Sequence, residues 1–163
     1  MPDTALAISP SAQHPPKIGT AESWIARSDA VRESGLATLT AATAERWFTP
    51  SFNAVEPGTV GKVLDSFVAT SIDGYVGCCA ALAGADLRED IERIANPLLA
   101  VSGDDDPVCP PADLEDIAVR VQRGRHLSLP GRHIVNIEST RAFNDALLEF
   151  FDSRMADMSD AKL

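Results

Sequence analysis

Pro97-Leu98-Leu99-Ala100-Val101 is an unbroken apolar run that ends at Gly103 and passes straight into three aspartates, Asp104 to Asp106. With no polar residue to mark a solvent side, such a run is expected of a parallel strand buried on both faces. Parallel strands need crossover connections and a helical cover on each face, and the residues after Leu87 supply both. "LREDIERI" reads as a short helix, and residues 111–121 as a longer one with Leu114, Ile117, Ala118 and Val121 turned inward. "RHLSL", residues 125–129, alternates polar and apolar, the pattern of a strand near a sheet edge. Phe143, Ala146, Leu147, Phe150 and Phe151 mark a last amphipathic helix, and "DSRMADMSDAKL" beyond it reads as frayed. Strand, helix, strand, helix is by default a right-handed parallel unit.

The residues before this unit follow a different pattern. Thr20 is placed to cap a helix carrying Trp24, Ile25 and Val31, which Gly35 ends. A second helix sets Leu36, Leu39, Thr43 and Trp47 on one side and stops before Pro50. Pro57 opens a third, with Val60, Val63, Leu64, Phe67 and Val68 at core-facing spacing. A fourth runs from about Ile72 through Tyr75, Val76, Cys79 and Leu82. Residues 1–17, rich in proline and without periodicity, read as a flexible lead-in. The expected organisation is a lead-in over 1–17, a helical cap over 18–87, an α/β core segment over 88–151 and a tail over 152–163. No convincing strand precedes residue 97. Two parallel strands do not make a stable sheet alone, so the chain is expected to be part of a larger fold or to borrow a sheet from a partner, with the edge at 97–102 exposed to self-association.

Charge narrows the choice of ligands. Fourteen Lys and Arg against 24 Asp and Glu give a formal net charge of −10, which disfavours nucleic acid and anionic membrane surfaces and leaves a small molecule or another protein. Three cysteines, with Cys78 and Cys79 adjacent, offer no disulfide framework, and a reducing cytoplasm is expected. No stretch reaches the roughly 20 apolar residues of a membrane span.

Functional side chains in open α/β sheets gather at the carboxyl ends of the strands. The aspartate cluster follows the first strand and "PGRHIVNIE", with His133, follows the second, so the two loops share an edge. An aspartate that accepts the Nδ1 proton of a histidine leaves Nε2 to act as a general base. Simpler readings stand beside this one. The aspartates also fit a solvated turn that caps the next helix, while a calcium loop would need alternating oxygen ligands and a central glycine. His126, inside the alternating strand, reads as an exposed strand residue, and His14 has no visible role. Cys78 and Cys79 read as small buried residues, no second Cys or His pair supplies a zinc site, and Cys109 is expected on the wrong loop to be served by His133.

"GYVGCCAALAGADLREDIERIANPLLAVSGDDDPVCPPADLEDIA" and "GRHLSLPGRHIVNIESTRAFNDALLEFF" resemble the C-terminal half of the 3-oxoadipate enol-lactonases (β-ketoadipate enol-lactone hydrolases), which are α/β-hydrolases. "KIGTAESWIARSDAVRESGLATLTAATAERWFTPSF" resembles the family's cap helices. The resemblance covers roughly residues 17–151. It implies an incomplete α/β-hydrolase fold, a helical cap followed by the last two parallel strands and their helices. It implies Asp106 as triad acid, Gly103 three residues before it, and His133 as triad base. It implies hydrolysis of an enol-lactone ester in aromatic-compound catabolism, with no cofactor and no metal. Trp24, Arg46, Trp47 and Lys17 would then face or shield the substrate carboxylate, though the tryptophans also read as core anchors and the cations as surface charges. The nucleophile motif G-x-S-x-G occurs nowhere in the 163 residues, and neither Ser102 nor Ser128 starts a nucleophile elbow. The chain is therefore expected to be inactive alone and to pair with the missing N-terminal half. A non-catalytic interaction module, or another α/β-hydrolase chemistry such as dehalogenation or perhydrolysis, is the alternative.

Overall fold

A computed structural model describes residues 5–8 and 19–160, with side chains described over 19–153. Lys17, His14 and the extreme C-terminus lie outside these residues. A first strand, β1 (Ala5–Ile8), precedes α1 (Ala21–Ser34), a 3-10 turn (Leu36–Leu39), α2 (Thr40–Trp47), α3 (Pro50–Val55), α4 (Pro57–Val68) and α5 (Ile72–Gly84). Then come α6 (Arg88–Ile91), β2 (Leu98–Gly103), α7 (Pro111–Arg120), β3 (Gly124–Leu129), α8 (Val135–Glu138) and α9 (Thr140–Asp160).

The sheet is parallel, in the order β1-β2-β3, with Leu98 opposite Gly124 and Gly103 opposite Leu129. All six residues of β2 are buried. Strand alternation divides them between two cores. Leu98 and Ala100 join Ile91, Cys109, Leu114, Ile117, Ala118 and Val121 under α7. Leu99 and Val101 join Leu129, Val135, Phe143 and Phe150 under α8 and α9. Each fully buried aliphatic or aromatic side chain contributes on the order of 1.5–3 kcal/mol. The strand end, where functional loops sit, is thus held from above and below.

Two expectations change here. A third strand exists: β1 pairs with β2, Ala5 opposite Leu98 through Ile8 opposite Val101. Four residues of which two are alanine carry little strand signal on their own, and the hydrogen-bonding edge of β2 selects them. The stretch 97–102 is consequently the centre of the sheet rather than its open edge, and the edges among the described residues are β1 and β3. At the other end, α9 continues to Asp160 where fraying was expected.

The helices of residues 21–84 form the cap. Thr20 and Ser23 close a capping box on α1, and Gly35, at φ 77°, ends it by donating its N–H to the Val31 carbonyl. Thr49 caps α3, a short helix that Pro50 starts and that the sequence pattern does not announce. Val31 and Phe48 are completely buried. Among the described residues, no single helix is long and apolar enough to cross a membrane.

Candidate active site

The aspartate run divides by backbone geometry. Asp104 and Asp105 donate their N–H groups to the carbonyls of Leu129 and Gly131, which stitches the β2 loop to the β3 loop. Their carboxylates stay exposed, each with a partner: Ser128 Oγ donates to Asp104, and Arg132 Nε donates to Asp105 at 2.8 Å. The chain then turns Asp106 inward, leaving its side chain 2% exposed. Asp106 Oδ1 accepts the N–H groups of Val108 (2.7 Å) and Cys109 (3.0 Å). Its other oxygen, Oδ2, lies 3.0 Å from His133 Nδ1. A carboxylate held by two backbone donors has one direction left, and that direction points to the imidazole.

The His133 loop is positioned from the cap as well as from the sheet. Ile134 N–H donates to the Trp47 carbonyl at 3.1 Å, and Arg132 reaches the Glu45 carbonyl. Glu138, in α8, accepts from the backbone N–H groups of both Arg132 (3.0 Å) and Thr49 (3.2 Å), and from the Thr49 hydroxyl. One carboxylate therefore ties the α2–α3 junction to the His133 loop. Burial pulls the His133 imidazole toward its neutral form, but its hydrogen bonds to Asp106 and Cys109 and the charge of Asp106 outweigh this, and its pKa is pushed up to about 9.

His133 forms part of the wall of a cavity of about 710 Å³ between cap and core. Trp24, Arg46 and Trp47 line it too, so three cap residues singled out from sequence share one chamber with His133. The tryptophans are half-buried rather than core anchors. An aromatic ladder builds one wall: Trp47 meets Phe67 edge-on at 5.5 Å, and Phe67 meets Tyr75 at 5.8 Å. Arg27 Nε donates to the Tyr75 hydroxyl at 2.5 Å, with its guanidinium 5.9 Å from that ring. Sequence reading passes over Arg27, Tyr75 as a cavity residue, and Glu138. Arg27 lies one turn after Trp24, a spacing that shares a helix face and was the available signal. Asp113, at the start of α7, also lines the cavity, and burial pushes its carboxyl up, with the charges of Asp116 and Asp106 adding.

Other candidates resolve differently. Cys109 stands beside the Asp–His pair rather than apart from it: one ligand-type atom each of Asp106, Cys109 and His133 lies within 4.8 Å of the others. The segment after Asp106 doubles back, which linear spacing does not reveal. His126 is half-buried and not simply exposed; its Nε2 lies 2.9 Å from Ser102 Oγ, and Ser102 donates to Ser128. That network gives the buried Ser102 hydroxyl its partners. Cys79 is buried as expected, whereas Cys78 is exposed, and both line the cavity.

No protein-family model matches the chain. It is 40% identical over 131 residues to 3-oxoadipate enol-lactonase 2 of Acinetobacter baylyi, covering 80% of this chain and 49% of that protein. The chain is similar to the C-terminal half of 3-oxoadipate enol-lactonases. The crystal structure of the enol-lactonase from Burkholderia xenovorans superposes with a TM-score of 0.79 at 34% identity, over 82% of this chain and 52% of that one. An α/β-hydrolase from a Medee basin deep-sea metagenome library matches in fold, with a TM-score of 0.73 at 18% identity over 91% of this chain and 56% of that one. The fold is that of the α/β-hydrolases, and the chain spans about half the length of the enol-lactonases it matches.

Proposed function

We propose that this chain carries the acid, the base and the cap of a carboxylic-ester hydrolase acting on enol-lactones of the 3-oxoadipate type. The observation that carries this reading is the 3.0 Å contact between Asp106 Oδ2 and His133 Nδ1 at the wall of a capped cavity. With Nδ1 engaged by the carboxylate, proton transfer in this reading falls to His133 Nε2, and Asp106 stabilises the imidazolium that forms. A serine hydroxyl brought to Nε2 would lose its proton as it attacks the lactone carbonyl. The same nitrogen then returns the proton to the enolate oxygen that leaves.

Cavity chemistry suits such a substrate. Trp24, Trp47 and Phe67 offer apolar walls for a small ring, and Arg27 and Arg46 supply cations for a carboxylate. Arg27, fixed by Tyr75, is the better placed for a planar two-point grip. Trp24, Arg46 and Trp47 are thus assigned to substrate binding in this reading. No G-x-S-x-G is present in the sequence, so hydrolysis requires that motif from another polypeptide or segment, and the 163 residues alone are assigned no esterase activity.

The test is reconstitution. The chain is combined with the N-terminal half of the Acinetobacter baylyi relative, which would bring the remaining sheet, and enol-lactone hydrolysis is followed. Restored turnover that disappears with His133→Ala supports the proposal. Turnover that survives His133→Ala, or esterase activity of the chain alone, contradicts it.

A further inference from the structure

We propose that Asp106, Cys109 and His133 together form a binding site for a thiophilic divalent cation of the zinc class. A carboxylate oxygen, a thiol sulfur and an imidazole nitrogen lie within 4.8 Å of one another, contributed by two loops that the sheet holds side by side. Zinc binds such atoms at about 2.0–2.3 Å in a tetrahedral array, so small side-chain rotations close the set. The donor mixture discriminates as well. Thiolate with imidazole favours zinc, cadmium or cobalt, while magnesium and calcium call for oxygen shells.

The frame around the donors is rigid. Asp106 is fixed by the Val108 and Cys109 N–H groups, and Cys109, 2% exposed, belongs to the core cluster under α7. Three protein donors leave a fourth tetrahedral position, the arrangement of open zinc sites, and one of the three, His133, lines the cavity. Asp113 adds a carboxylate to the cavity wall that His133 shares. On binding, the thiol of Cys109 loses its proton to solvent, and so does any proton on the coordinating His133 nitrogen. No electrons are transferred. The cation and the Asp106–His133 hydrogen bond compete for the same atoms, so an occupied site switches the pair off. Binding rests on the three donors alone; its inhibitory consequence rests on the hydrolase reading above.

Titration of the full chain, stripped with a chelator, with cadmium alone and then with zinc alone decides the matter. The readouts are the cadmium–thiolate charge-transfer absorption and competition with a chelating dye. One equivalent is expected, with a thiolate band that Cys78→Ser/Cys79→Ser keeps and Cys109→Ser abolishes. Affinity should fall more than about tenfold in Cys109→Ser, since even an outer-shell partner commands 10–100-fold. Circular dichroism reports whether that variant folds; if it does not, His133→Gln should show the same loss of affinity with the thiol intact. Saturation without a thiolate band, or unchanged affinity in these variants, overturns the proposal. Cation binding by a chain whose reconstituted, chelator-stripped preparation is inactive supports the site while refuting the hydrolase reading.

Discussion

Gly103 lies against the backbone of the loop that carries His133: a Cβ built on it would sit 2.3 Å from the Arg132 carbonyl oxygen and 2.5 Å from that of Gly131. Backbone atoms do not step aside as a flexible side chain does. The missing side chain at the end of β2 is therefore what lets the Asp106 loop and the His133 loop touch. Gly103→Ala is expected to cost about 1–3 kcal/mol of stability, the range of overpacking, and to shift the His133 ring resonances. Denaturant unfolding and histidine NMR check both; a variant with unchanged stability and unchanged His133 signals would show that the contact is not limiting.

The Asp106–His133 pair makes a pH prediction with a definite sign. His133 titrates near 9 in the folded chain against an ordinary value of 6.5, so its protonated form is favoured by folding. That stabilisation is complete below about pH 6.5 and is lost as pH rises through about 9. Asp106→Asn keeps an oxygen for the Val108 and Cys109 N–H groups but removes the charge that faces the imidazole. The NMR titration midpoint of His133 should drop well below 9 in that variant, and an unmoved midpoint would assign the shift to another group.

Glu138 is expected to matter more than its place in a four-residue helix suggests. It joins Thr49 of the cap to Arg132 of the His133 loop, in a part-buried setting. Glu138→Ala leaves two backbone donors without their acceptor, at about 1–3 kcal/mol each if water cannot replace it. Amide hydrogen exchange should accelerate at Thr49 and Arg132 together, ahead of the sheet. Faster exchange at one of them alone would mean that the two ends are not coupled through this carboxylate.

Arg27 should divide binding from chemistry in the reconstituted enzyme. Its Nε is committed to Tyr75, which orients the rest of the guanidinium along the cavity wall. Arg27→Met is expected to raise KM by about 10–100-fold, with kcat changed far less, as the loss of a charge-assisted contact to a non-reacting carboxylate requires. Arg27→Lys should recover only part of the loss, because one ammonium cannot grip two oxygens in a plane. Equal falls in kcat for both variants would move Arg27 from recognition to the reacting atoms.

Sequence by itself determined the elements whose signal is local. The uninterrupted run at 97–101 required burial on both faces, and β2 is buried throughout. The apolar spacing in 111–121 placed Leu114, Ile117 and Ala118 under the sheet, where they lie. Two strands followed by loops with the aspartate run and His133 were enough to predict that a carboxylate of that run can meet the imidazole, because parallel neighbours end on the same edge; the choice of Asp106 among the three came from the family resemblance. What tertiary structure decided depends on atoms distant in sequence. Ala5–Ile8 becomes a strand because β2 offers it a ladder, Cys109 reaches the Asp–His pair because the chain doubles back after Asp106, and Arg27 joins the cavity because Tyr75, from another helix, holds it there. Glu138 bridges cap and core for the same reason. Periodicity reports which face of an element is buried; which element it is buried against is fixed only when the chain closes on itself.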